Sequence, residues 1–384
     1  MVLIFWLILL TVLSAIGGLA CWAMGAVVPG GRLTVCRRWL VLLDVASPLA
    51  LVAGIWLFAL PDGVNRFFLI VLAAFWMMQL IFGVVVALVR GLRRLLLRAP
   101  APPVDPERRR LLKGAAVYPL FAGICGVYGG TEGRTRTVVR EIPVPLSGIG
   151  AELEGFRIAQ LSDIHLGLFF SLDDLTALLA KTAALKPDVL VITGDLFDDD
   201  RLNVEAVKRV DEFFDQFPKG IWFCYGNHEY FRDIGRTKAA LAKSRIHVLA
   251  NDHARIVDGK RALYFAGVDY PTRRADFERL EAQYTKEAMQ GIPTGAVTVF
   301  LAHHPDFIDD AANYGAALVL TGHTHGGQLG LFSVPLVPPV FKYMRGLYRV
   351  DGTIGYVHCG NGSWFPYRLG CPPEIAVFRL TEKE

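Results

Sequence analysis

The sequence predicts an α/β domain preceded by an N-terminal transmembrane helical region. Long uncharged apolar runs crowd the first 130 residues. Short apolar strand runs alternate with helical spacings after Thr131, and the polar residues of that second part gather where its strands end. The expected division is a membrane region of about four helices, 1–130, and a polar domain, 131–384. Composition agrees. With 53% hydrophobic residues, 20% charged residues and a mean hydropathy of +0.38, the chain is more apolar than an ordinary soluble domain, which carries about 25% charged residues. Disorder, collagen, coiled coil and a wholly soluble chain are excluded.

The runs Val2–Val28, Trp39–Leu60 and Phe67–Val89 each reach the roughly 20 residues needed to cross a bilayer. Only Asp44 and Pro48 interrupt the second. The first lacks the basic leader of a secretory signal and shows no polar face of any period. A shorter fourth run, Gly114–Gly130, follows Arg108-Arg109-Arg110-Leu111-Leu112-Lys113. That stretch is similar to an internal twin-arginine export motif, and it also reads as the basic flank of a final span.

Lysine and arginine mark cytoplasmic loops. Arg90–Lys113 holds eight basic residues and Pro29–Arg38 three, whereas Pro61–Arg66 holds one. The alternation predicts a multi-pass inner-membrane protein. Its polar domain lies outside the cytoplasm if Gly114–Gly130 spans, and inside if that run lies in the interface. Residues 1–113 carry 12 Lys/Arg against four acids, a net of +8, which leaves −4 for residues 114–384. The positive charge sits beside apolar runs, as topology requires, so the lipid bilayer is an expected partner and nucleic acid is not.

In the polar half, Phe156–Leu161, Val189–Thr193, Ile221–Tyr225, Ile246–Leu249, Val297–Ala302 and Leu318–Thr321 read as strands. Leu172–Leu185 and Val204–Phe217 read as helices, Asp258-Gly259 as a hairpin turn, and Tyr348–Val350, Ile354–His358 and Ile375–Leu380 as closing strands. Apolar strands alternating with helices indicate a sheet buried on both faces. Five strand runs end in polar motifs: Asp163-Ile164-His165, Gly194-Asp195-Leu196-Phe197-Asp198, Gly226-Asn227-His228-Glu229, His303-His304, and Gly322-His323-Thr324-His325-Gly326-Gly327. Ligands of α/β sheets bind beyond the carboxyl ends of strands. Six of the nine histidines lie in these motifs; His247, His253 and His358 do not.

Imidazole and carboxylate donors suit borderline divalent ions such as Mn, Zn and Fe. A carboxylate can bridge two ions, and two ions about 3.5–4 Å apart can clamp a phosphoryl group. Each motif alone is an ordinary turn or corner. All five in one order, each at a strand end, point to a two-metal site.

This ordered set resembles the calcineurin-like metallophosphoesterase superfamily. Gly326-Gly327-Gln328 and Cys371-Pro372-Pro373-Glu374-Ile375 further resemble its bacterial membrane-associated branch. The resemblance covers roughly Val138 to Leu380 and implies a four-layer αββα sandwich that hydrolyses phosphate esters with two divalent metal ions. It implies one ion on Asp163, His165 and His325, a second on Asn227, His303 and His323, and Asp195 bridging both. His228 faces the substrate as a catalytic residue together with Asp195, and Asp198 and Glu229 orient imidazoles. His304 stands where the family commonly has Asn; the preceding apolar run favours His303 as the ligand.

Of the cysteines, Cys359 and Cys371 are the one pair considered for a disulfide, and no Cys-x-x-Cys supports a zinc ribbon. The expected function is a membrane-anchored phosphoesterase acting on a phosphomonoester, phosphodiester or pyrophosphate, with a lipid-linked substrate among the candidates. The alternatives are a pyrophosphatase of the UDP-2,3-diacylglucosamine type on the cytoplasmic side, and a non-catalytic metal-stabilised receptor or scaffold. Apolar residues near the motifs (Leu166, Leu168, Phe169, Phe170, Leu331, Phe332, Val334–Phe341 and Trp364–Tyr367) read either as a membrane-facing rim or as core. Lys342, Arg345, Arg349 and Arg368 are positioned in the sequence to meet lipid phosphates at such a rim.

Overall fold

The computed structural model describes residues 2–25, 28, 30–56, 62–96, 117–231, 233–331, 334–336, 340–363 and 365–383. The twin-arginine-like residues 108–113, Phe332, 337–339 and Trp364 lie outside the described residues. There are two compact units: Met1–Glu132 with Phe365–Tyr367, and Gly133–Trp364 with Arg368–Glu384.

The first unit contains helices α1 (Val2–Met24), α2 (Gly30–Trp56), α3 (Asp62–Leu96) and α4 (Val117–Gly130). Within α3, Val64–Leu92 is, among the described residues, the one segment long and apolar enough to cross a membrane. The apolar stretch Leu9–Met24 of α1 is shorter. Trp39, Phe67 and Leu88 are about two-thirds exposed, an arrangement that water penalises and hydrocarbon does not. Glycines allow close helix packing: Gly126 of α4 faces Ala74 and Met78 of α3, and Gly83 of α3 faces Leu19 of α1.

The second unit holds two six-stranded sheets, as the resemblance to an αββα sandwich implied. The first sheet runs β1 (Val138–Leu146), β14 (Glu374–Glu382), β2 (Arg157–Leu161), β3 (Val189–Thr193), β4 (Ile221–Cys224), β5 (His247–Val248) in spatial order. The second runs β12 (Gly346–Val350), β13 (Thr353–Val357), β9 (Leu318–Thr321), β8 (Val297–Leu301), β7 (Leu263–Gly267), β6 (Asp252–Val257). A short hairpin pairs β10 (Gly330–Leu331) with β11 (Val334–Pro335). Strands β2 to β5 are parallel, as are β7, β8, β9 and β13. The hairpin expected around Asp258-Gly259 joins antiparallel β6 and β7.

Side-chain alternation sorts these strands into layers. Ile158, Val189 and Val191 of the first sheet pack with Phe265, Val299 and Leu320 of the second in one shared core. Their neighbours Ala159, Leu190 and Ile192 face the opposite way, onto α5 (Leu172–Ala184), α6 (Asn203–Asp211) and α8 (Ile234–Leu241). Phe300 and Val319 face α9 (Phe277–Met289) and α10 (Phe307–Asn313). The order is helices, sheet, sheet, helices, which is the αββα sandwich.

Local signals place the parts. Ser171 starts α5 with a capping box: its hydroxyl accepts the Asp174 N–H, and the Asp174 carboxylate accepts the Ser171 N–H. β1 escaped the sequence reading because Pro143 and Pro145 interrupt it. It is an edge strand, where missing N–H donors at alternate positions are tolerated.

Candidate metal centre

The five motifs meet at the carboxyl ends of β2, β3, β4, β8 and β9. β2 runs into Asp163 and His165, β3 into Asp195, β4 into α7 (Asn227–Phe231), β8 into His303, and β9 into His323 and His325. The backbone is unusual here. Asp163, His165, Asp195, His323 and His325 all have positive φ, between 50° and 70°. Such a conformation costs a non-glycine residue about 1–3 kcal/mol, and it clusters at functional sites. Glycine is required beside them: a Cβ on Gly322 would collide with Ser162 Oγ and Asp163 Oδ2, and one on Gly226 with Asp195 Oδ1.

Three groups of donor atoms converge, each within 4.8 Å: Asp163 with His165 and His325; Asp195 with His303 and His323; and His165 with Asp195 and His228. Asp195 belongs to two of them. Its Oδ2 is 3.2 Å from His303 Nε2 and 3.7 Å from His165 Nε2. Asn227 Oδ1 completes the second group, 3.1 Å from His303 Nε2 and 2.9 Å from His323 Nδ1.

Tautomers follow from the outer contacts. His303 Nδ1 donates to the Thr193 carbonyl at 2.8 Å, which turns Nε2 toward Asp195 and Asn227. His165 Nδ1 faces Asp198 Oδ1 at 3.0 Å, which turns its Nε2 toward His325 Nε2 at 2.9 Å. Ring nitrogens and carboxylate and amide oxygens thus point at one another, an arrangement that a cation between them satisfies. The donors are nitrogen and oxygen alone, which fits borderline divalent ions.

Electrostatics agree. Burial disfavours charge on His303, yet Asp195, by charge and hydrogen bond, lifts its imidazole to about 10. The Asp195 carboxyl, though buried, is held well below the usual range by His303, His165 and His228. Burial and neighbouring imidazole charge push His323 and His325 far down.

The structure corrects several roles. Asp198 does orient imidazoles, touching both His165 and His228. Glu229 touches none; its carboxylate accepts the N–H groups of Asp195, Leu196 and Gly226 and fixes the loops after β3 and β4. His303 rather than His304 faces Asp195. His304 is wedged against Phe277, Phe341 and His323, with ring centroids 4.5, 5.1 and 4.8 Å away, and burial pushes it down to about 3. Cys359 and Cys371 are free buried thiols.

Arg368 is fully buried and cannot meet lipid phosphates; it donates to the carbonyls of Cys359, Gly362 and Cys371 and lies 3.3 Å from His325 Nδ1. Ser162 also escaped the sequence reading. Its hydroxyl lies 2.6 Å from Asp163 Oδ2, and nothing in the sequence but adjacency to Asp163 marks it. Glu374 of the Cys-Pro-Pro-Glu motif is structural, accepting Tyr356 Oη and Cys359 N–H and pairing with Arg140.

Residues 156–327 match the family model described as calcineurin-like phosphoesterase. Relatives extend the match. A metallophosphoesterase of Helicobacter pylori is 31% identical over 287 residues, covering 72% of this chain and 74% of its own length. YkuE of Bacillus subtilis, named a metallophosphoesterase, is 31% identical over 297 residues, 71% of this chain and 97% of its own. The chain is a calcineurin-like metallophosphoesterase. Such phosphoesterases are metal-dependent hydrolases with a binuclear centre, and the converging donors supply the candidate ligands. A zebrafish relative of this phosphoesterase, 31% identical over 284 residues (68% of this chain, 62% of its own), is named "Transmembrane protein with metallophosphoesterase domain". Such homologues and the apolar segment of α3 associate the phosphoesterase with membranes.

Proposed function

We propose that the protein is a multi-pass, membrane-anchored phosphoesterase whose domain lies outside the cytoplasm and hydrolyses a phosphorylated, lipid-like substrate. The observation that carries the phosphoesterase chemistry is the shared position of Asp195 between two groups of imidazoles. Asp163, His165 and His325 would hold one divalent ion and Asn227, His303 and His323 the other, with Asp195 between them; Mn, Zn and Fe suit the donors. When bound, the pair of ions neutralises phosphoryl charge and activates water.

This chain's own residues do the rest. His228 is only partly covered, its side chain 23% exposed, so it can reach a substrate entering the centre. Its Nδ1 is held by Asp198 and its Nε2 is directed inward, 4.0 Å from Asp195 Oδ2, where a proton can pass to the leaving oxygen. Glu229 and Ser162 keep the loops and the Asp163 carboxylate in place.

The lipid-like substrate rests on the segment after β10. Val334, Leu336 and Val340 are exposed, and the segment ends at Phe341, whose ring lies 5.1 Å from that of His323. Leu166 and Phe170, by contrast, serve the core. The purified chain should turn over a chromogenic phosphodiester with Mn²⁺ and lose that activity to EDTA. Failure with every borderline divalent ion would overturn the enzymatic reading.

A further inference from the structure

Polar groups without partners collect in the middle of the helical unit. Asp44 lies near the midpoint of α2 and Gln79 near the midpoint of α3. Gln79 Nε2 donates to Asp44 Oδ1 at 2.7 Å. Around that pair, Gln79 Oε1, Ser47 Oγ and Trp76 Nε1 are buried and lack any hydrogen-bond partner. Gln79 and Trp76 are 3% and 5% exposed, so water from the surface does not serve them. Pro48, inside α2, has no N–H to give to the Asp44 carbonyl, which frees a further acceptor.

Of these residues, Asp44, Pro48 and Trp76 border a void, with Gln79 bonded to Asp44 beside it. A cavity of about 770 Å³ is lined by apolar residues of α1 and α2 together with Ser14, Gly17, Asp44 and Trp76. Its walls include the exposed residues Leu10, Val41 and Leu49, so it opens sideways from the helices. Gly17 keeps the carboxylate accessible: a Cβ there would come 2.5 Å from Asp44 Oδ2.

We propose that this cavity binds an amphiphile with a primary ammonium head, seated on Asp44, and an apolar body lying along α1 and α2. The inference rests on the reading of these helices as membrane spans. A carboxylate at membrane depth requires a partner, and intramembrane acids mark ligand or ion sites. Charge and donor count select the head. The acceptors of a lining residue left without a partner are Asp44 Oδ2 and the Asp44 carbonyl, and an ammonium carries both the charge and the N–H donors to meet them. Size selects the body, since the void is far larger than an ion and almost wholly apolar, within the range of organic-ligand sites. The ammonium comes either from a free amine or from the headgroup of an ethanolamine-type lipid.

The test uses the full chain in phosphatidylcholine nanodiscs, with bound species read by native mass spectrometry. Dodecylammonium should be retained, and dodecyltrimethylammonium, which has the charge but no N–H donors, at least tenfold less. Asp44→Asn, and Gly17→Val, which crowds the carboxylate, should each weaken dodecylammonium at least tenfold while phosphodiester turnover stays unchanged. Retention of phosphatidylethanolamine as well identifies a lipid headgroup as the source; retention of dodecylammonium alone identifies a free amine. Equal retention of the two amines by the unaltered chain overturns the proposal, even if both variants misfold. So does unweakened binding in an active Asp44→Asn protein. Carbonate extraction separately tests whether the helices are embedded, and turnover tests the phosphoesterase, so the three readings fail independently.

Discussion

Oδ1 of Asp198 lies 2.5 Å from Nδ1 of His228 and 3.0 Å from Nδ1 of His165, so one carboxylate fixes two imidazoles at once. Burial opposes charge on Asp198, but its hydrogen bonds to His165 and His228 hold its carboxyl far below the usual range. Asp198→Asn keeps the shape and removes the charge. It should lower turnover of a small phosphodiester by roughly 10–100-fold, the scale for partners that orient metal-site imidazoles. Turnover within twofold of the unaltered enzyme would refute the orienting role.

His228→Ala should lower kcat by roughly 10²–10⁴, the scale of lost acid catalysis, with two ions still bound per chain. Because His228 also lies within 4.8 Å of the His165 and Asp195 donors, metal analysis decides its role. Loss of one ion would make His228 a ligand.

The site was far more legible than the roles around it. Each candidate ligand lies within a few residues of the end of an apolar strand run, so motif order and strand ends sufficed to gather Asp163, His165, Asp195, Asn227, His303, His323 and His325. The residue pattern alone did not separate the two sheets that the resemblance implied, because Val189–Thr193 and Val297–Leu301 are equally buried at every position. Nothing in such a run says which sheet it joins. Glu229 and Arg368 were misread for a shared reason. A charged residue in a sequence suggests solvent or a side-chain partner, whereas both are buried and bond mainly to backbone.

Glu281 of α9 carries a stability cost that depends on pH. Burial, then the charges of Asp310, Asp306, Asp309 and Glu278, push its carboxyl up to about 8, against about 4.3 in an unfolded chain. Folding therefore favours the protonated form. The associated stability is complete below about pH 4.3 and is lost as pH rises toward 8. Glu281→Gln should raise Tm by roughly 2–4 °C at pH 8, equivalent to about 1 kcal/mol, and leave it unchanged near pH 4. An equal shift at both pH values would contradict this account.

Orientation is open to a direct test. Protease added to intact spheroplasts should cut the phosphoesterase domain while sparing the segment 90–113. Protection until lysis would place the domain in the cytoplasm and revive a cytoplasmic lipid-pyrophosphate substrate.

The exposed segment after β10 separates two kinds of substrate. Leu336→Ser combined with Val340→Ser should cut turnover of a micellar phosphodiester at least tenfold and spare a small soluble one. Equal loss on both, together with a lower Tm, would mean that these side chains support the fold instead.

β14 lies between β1 and β2 in the first sheet. It is the last in chain order among the described strands, yet it is the antiparallel neighbour of β2, the strand that delivers Asp163. An emerging chain can carry all five motifs and still lack the support for the first of them. The geometry at Asp163 therefore depends on residues 374–382 being paired with β2. Chains clipped before residue 374 should therefore hold divalent ions poorly even though all five motifs are intact.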